Sequence, residues 1–279
     1  MKSAVIPVIL TFLISTSALS AQSSQSTHSA YFGFDRNEYP GDGSLKTLHQ
    51  TFSFVGYWLN NPPGANRNSW AGKRKTLQAA GFGFLVVFNG RTDKEIKAAG
   101  DATSLGASEG AAAVSSARRE GFRFGTIVFL DQEEGGRMLP EQRAYLYAWI
   151  DAVIAAGFRA GVYCSGIAFN EGSGKSVITA EDIRDNAAGR NLSYWISNDA
   201  CPPSRGCVVP KPAFSPTASG LSFVDVWQFA QSPRRDNLTK KCAATYSKDR
   251  NCYPPGTSQL HVDMDVATSP DPSDGRTRN

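Results

Sequence analysis

The chain has 279 residues, 41% of them hydrophobic, enough to build a proper core in one large domain or two small ones. Its 29 basic and 25 acidic residues leave a net charge of +4, an excess too small and too scattered to argue for nucleic acid. A mildly basic surface suits an anionic polymer such as a bacterial wall as well as it suits plain solubility.

Residues 1–21 read as a signal peptide. Lys2 supplies the charge, Ala4 to Leu13 is almost wholly apolar, and small residues from Ser15 to Ala21 offer cleavage after Ser20 or Ala21. The apolar run is too short to span a bilayer comfortably. No stable membrane insertion is therefore expected after cleavage, and an uncleaved anchor is the alternative. Residues 22–29 form a polar leader expected to be disordered. The expected location is secreted, periplasmic or extracellular.

Between residues 30 and 267 eight short apolar, β-branched and aromatic runs predict strands. They are Tyr31–Asp35, Ser53–Leu59, Phe84–Asn89, Thr126–Glu133, Arg159–Cys164, Ser193–Asn198, Phe223–Phe229 and His261–Val266. Helical patterns separate the early ones: Trp70 to Ala80, the Ala-rich Leu105 to Glu120, Glu141 to Ala156 behind Pro140, and Ala180 to Ala188. Gly81, Gly121, Gly157 and Gly189 stop them. Strand–helix repetition means parallel strands with right-handed crossovers. Eight strands favour a closed TIM-type barrel of about five βα units and three further strands. An open doubly wound sheet is the runner-up, weakened because no Gly-rich phosphate loop follows the first strand. Residues 199–222 and 230–260 read as loops, and 268–279 as a flexible tail.

Export permits disulfides. Of five cysteines, Cys201 and Cys207 form one local pair and Cys242 and Cys252 another, which leaves Cys164 buried and free. No cysteine pair has zinc-site spacing, so no metal or cofactor is expected.

Acidic residues collect at strand ends, where the active mouth of a barrel lies. Asp35 ends the first strand, Asp131 and Glu133 the fourth, and Asp263 and Asp265 lie on the eighth. Residues two apart share a face, so each pair points one way. Closure would set Asp35 beside Asp263. Crowded acids raise one another's pKa, and a carboxyl kept protonated near neutral pH can act as a general acid. Glycoside cleavage needs such an acid plus a second carboxylate. Sugar sites also need aromatic and amide partners, and Tyr57, Asn89, Tyr163, Trp195, Trp227 and Gln228 are candidates, with Asp265.

The ordered set Gly33-Phe34-Asp35, Leu130-Asp131-Gln132-Glu133, Gly161-Val162-Tyr163, Tyr194-Trp195-Ile196, Trp227-Gln228-Phe229 and Val262-Asp263-Met264-Asp265 resembles family 25 glycoside hydrolases, the secreted lysozymes. It resembles more closely the glycoside-hydrolase-like domain family of secreted actinobacterial and other bacterial proteins. The resemblance implies a (β/α)5(β)3 barrel with Glu133 as proton donor. Asp131 would orient or stabilise the substrate's acetamido group, and Asp35 and Asp263 would complete the acidic site. Two positions depart from the lysozyme pattern: Asp265 stands where Asn is usual, and Val87-Phe88-Asn89 replaces Tyr-His-Phe. The expected activity is hydrolysis or remodelling of peptidoglycan or a related N-acetylated glycan. A non-catalytic glycan-binding barrel and a metal-dependent phosphodiesterase are the alternatives.

Overall fold

The computed structural model describes Met1 and residues 30–277. The expected signal peptide and leader lie outside the described residues. In chain order the elements are β1 (Tyr31–Asp35), α1 (Leu45–Leu48), β2 (Phe54–Trp58), α2 (Arg74–Ala79), β3 (Gly83–Asn89), α3 (Asp93–Ala99), α4 (Ala102–Arg119), β4 (Ile127–Asp131), α5 (Pro140–Ala155), β5 (Arg159–Ser165), β6 (Ala168–Gly172), β7 (Lys175–Ile178), α6 (Thr179–Asp185), β8 (Ser193–Ser197), β9 (Val226–Ala230) and β10 (Asp263–Ala267).

Eight strands close into a barrel in the order β1-β10-β9-β8-β5-β4-β3-β2, and β6 and β7 form a separate hairpin. The eight predicted strands are these eight, and the fold is the TIM-type barrel. Neighbours are parallel except at β10, which runs antiparallel to both β9 and β1. Its beginning, not its end, therefore lies at the mouth, and Asp263 pairs across with Asp35.

Large inward side chains fill the barrel because glycines face them. A Cβ on Gly161 would sit 2.5 Å from the Phe129 ring, and one on Gly33 would collide with Phe54. Higher up, a Cβ on Gly56 would stand 2.5 Å from that of Asp35, so this glycine makes room for a carboxylate. Outside, the Ala-rich α4 meets α5 through Gly106, Gly110, Ala113 and Ala117, a small-residue face at helical spacing. A Cβ on Gly110 would lie 2.7 Å from the Trp149 carbonyl, so only small residues admit α5 at this distance.

Two expectations fail. Residues 268–277 are not a flexible tail. Their segment wedges between the lower ends of β3 and β4, where Ile127 N–H donates to the Ser273 carbonyl (2.8 Å) and Ser273 N–H to that of Phe84 (2.9 Å). Val86 N–H donates to Ser273 Oγ (2.8 Å). The polar composition was misleading because these residues satisfy backbone groups the sheet leaves open there. The disulfides also differ. They join Cys201 to Cys242 and Cys207 to Cys252 (Cα–Cα 5.9 and 5.3 Å), while Cys164 is free and buried. The β8–β9 and β9–β10 loops run side by side, Cys201 N–H bonding the Leu238 carbonyl and Cys207 N–H Thr245 Oγ1. Each cysteine thus faces the other loop, not its neighbour in sequence.

Candidate active site

The mouth gathers Asp35, Asp131, Glu133, Asp263 and Asp265, as the strand ends predict. Gln228, 2% exposed, ties them together. Its amide nitrogen donates to Asp35 Oδ2 (2.8 Å) and, more weakly, to Asp263 Oδ2 (3.4 Å). Its carbonyl accepts from the Tyr163 hydroxyl and from Gln231, both at 2.8 Å. Asp263 Oδ1 accepts from the Ser232 N–H at 2.6 Å. Trp195 Nε1 donates to Asp265 Oδ1 at 2.9 Å.

Burial sets the electrostatics. It pushes Asp35 up to about 6, against the lowering effect of the Gln228 hydrogen bond and of the neighbouring Asp265 carboxyl. Asp265 and Asp263 are raised well above the ordinary carboxylate range, first by burial and then by the Asp35 charge. The interaction between the Asp35 and Asp265 carboxyls lowers the first and raises the second. Asp131 is raised by burial, then by Glu133 and Asp35. It is 4% exposed, and neither of its carboxylate oxygens has a hydrogen-bond partner. Glu133 is the solvent-facing member, yet enough protein surrounds it for desolvation to raise its pKa too.

Two clefts meet at Glu133. A groove of about 840 Å³ extends from Asp131 and Glu133 past Asn60, Asn61, Asn89 and Arg91 towards Arg119. A second cleft of about 380 Å³ holds Tyr163, Ser165, Phe169, Ser197, Gln231 and Arg235. Among the described residues, Glu133 alone lines both. Arg91 is paired with Glu109 and Glu95, and Arg235 with the buried Asp199.

Several predicted substrate contacts are elsewhere. Tyr57 points out of the barrel, where its hydroxyl donates to Glu120 (2.5 Å) and its ring packs on Phe84 and Phe122. Trp227 also faces outward, with Nε1 on the Asn198 carbonyl. Trp195 is inside but 2% exposed against Phe129 and Tyr163, so it supports the site without presenting a face. Gln228 and Asp265 are buried behind the acids. Asn89 lines the groove and Tyr163 the second cleft. Sequence reasoning missed Asn60, Phe169, Gln231 and Arg235, which lie outside the eight strands. The polar Gln228 in the apolar run Val-Trp-Gln-Phe-Ala was a usable signal. A polar residue facing in at a mouth forces its neighbour Trp227 out.

Among the described residues, no group of three or more His, Cys, Asp or Glu side chains is arranged to hold a metal ion, and no helix is long and apolar enough to cross a membrane.

The family model described as Rv2525c-like, glycoside hydrolase-like domain, matches residues 47–204, more than half of the chain. No curated protein matches the chain. Among solved structures, the Tat-secreted protein Rv2525c of Mycobacterium tuberculosis in complex with HEPES is 9% identical, with a TM-score of 0.52 over 88% of this chain and 97% of that one. An uncharacterized B. stearothermophilus protein is 17% identical, with a TM-score of 0.51 over 85% and 95%. The Clostridium perfringens spore cortex lytic enzyme SleM is 15% identical, with a TM-score of 0.51 over 86% and 68%. At these identities the likeness is one of fold.

Proposed function

Because the chain belongs to the Rv2525c-like glycoside hydrolase-like domain family, we propose that it is a secreted enzyme that hydrolyses or remodels peptidoglycan or a related N-acetylated glycan. The observation that carries this reading is the position of Glu133, a carboxyl of raised pKa on the ridge between two polar clefts. A glycan laid across both clefts brings one glycosidic oxygen over Glu133. The protonated carboxyl donates to that oxygen as the bond breaks, and the resulting carboxylate then accepts a proton from the attacking water.

Asp131, the last residue of β4, stands two residues before Glu133, with two unsatisfied acceptor oxygens. They complement an amide N–H, the donor an acetamido group carries. Its arrival would favour the ionised form of Asp131, which then orients the acetamido oxygen for attack on the sugar carbon and opposes the developing positive charge. Asp35, Asp263 and Asp265 stand behind these two as a buried acidic cluster, in which Gln228 holds Asp35 and Asp263 in register. Two disulfides and the apolar run after Lys2 are consistent with an oxidising destination. The spore cortex lytic enzyme's fold likeness agrees with a wall polymer as substrate.

Incubating purified protein with peptidoglycan and assaying new reducing ends tests the proposal. Glu133→Gln is expected to lose about 10²–10⁴-fold in rate while still binding glycan, because the amide keeps the shape but cannot deliver a proton. Activity should fall on the alkaline side as Glu133 loses its proton. A Glu133→Gln enzyme that cut at the wild-type rate would remove Glu133 from the role of acid. Equal glycan binding without cutting by either protein would favour a binding barrel.

A further inference from the structure

The hairpin of β6 and β7 belongs to neither the barrel nor its helical layer. Every residue of β6 is exposed, and Phe169, its second residue, is 53% exposed. The arm is nevertheless fixed. Arg137 donates through Nε and Nη2 to both carboxylate oxygens of Glu171, at 2.8 and 2.9 Å. At the hairpin's end, the Thr179 hydroxyl accepts from Gly136 N–H and donates to the Gly136 carbonyl, at 2.8 and 2.9 Å. The Phe169 ring lies against this segment, close enough that a Cβ on Gly136 would meet it at 3.4 Å. Gly135 and Gly136 follow Glu133 and Glu134 directly, so the ring is held in register with the candidate acid.

Phe169 lines the second cleft with Glu133, Tyr163, Gln231 and Arg235. A half-exposed aromatic face among amide, hydroxyl and guanidinium donors is the combination that binds a sugar: its C–H face stacks on the ring and its hydroxyls take the polar groups. Trp195 and Tyr163, the other aromatics of the mouth, cannot do this, because they are only 2% and 8% exposed and present no open face.

We propose that Phe169 is the stacking platform for a sugar residue in the second cleft, so that the hairpin determines how firmly the chain on that side of Glu133 is gripped. This rests on the glycan-cleaving role of Glu133 for its catalytic consequence, but not for the binding itself.

The test uses soluble peptidoglycan fragments long enough to cross Glu133, with Phe169→Leu and Phe169→Trp as variants. Leucine keeps apolar packing on Gly136 and loses the aromatic face, and tryptophan keeps both. Phe169→Leu is expected to raise KM, and the Kd measured in the Glu133→Gln background, by about five- to tenfold with kcat little changed. Phe169→Trp should stay close to the parent. Unchanged binding in Phe169→Leu would overturn the platform even if Glu133→Gln abolished cutting. So would equal weakening in both variants, which marks a packing role. If no glycan is cut but Phe169→Leu weakens binding and Phe169→Trp does not, the platform stands and the hydrolase fails.

Discussion

Asp35 shows what burying a carboxyl at the mouth costs. Its carboxyl rises from 3.8 to about 6 on folding, so between these pH values the folded protein holds a proton that the unfolded chain has released. Stability therefore falls as pH rises through that window and does not recover above it. Two units correspond to about 3 kcal/mol. Asp35→Asn is expected to gain about 1–3 kcal/mol at pH 7, little at pH 3, and to lose activity, the exchange of stability for function common at active sites. Urea denaturation at the two pH values checks this, and equal effects at both would show that the aspartate is not strained by charge. At this scale the acids were legible because period two places Asp131 with Glu133 and Asp263 with Asp265. The aromatics were not. Short strands leave the facing of Tyr57 against Trp58 open, and Phe169 sits on a hairpin whose exposed residues carry no burial pattern.

Among elements, the predicted strands agree with the observed ones to within a few residues, because each is a buried apolar run bounded by turns. The hairpin β6–β7 and the short α3 escaped, the first for lack of apolar alternation and the second because its signal is the Thr92–Glu95 capping box, with one buried residue, Ile96. Long-range pairing is a further limit: which loops touch depends on the finished barrel, and so did the disulfides. Cys201–Cys242 and Cys207–Cys252 close sequence separations of 41 and 45 residues, each worth about 4 kcal/mol in the loop-entropy model. Replacing one pair by serines should lower the free energy of unfolding by up to that amount. It should also weaken glycan binding, since the stapled loops carry Arg235. Non-reducing peptide mapping is the direct check, and a Cys201–Cys207 peptide would refute the observed connectivity.

For the whole molecule, closure depends on both ends of the described chain. Residues 271–273 complete the lower edges of β3 and β4, and Ser273 is fully buried. Truncation after Ala267 is expected to lower the melting temperature and the soluble yield sharply. Ser273→Ala, which leaves the buried Val86 N–H without its acceptor, should cost about 1–3 kcal/mol. Thermal unfolding of the two variants distinguishes these effects, and a truncated protein as stable as the full chain would show the segment to be dispensable.

The reversed last strand has a consequence for how the molecule is made. β1 leaves the ribosome first and finds β2 soon after, but its other edge stays unpaired until β10 is synthesised. Until then Asp35 lacks both Asp263 and Asp265 as neighbours. The two acids of β10 therefore join the mouth only when that strand closes the barrel. The full cluster of carboxylates is thus a property of the closed barrel, and it is completed by the last strand.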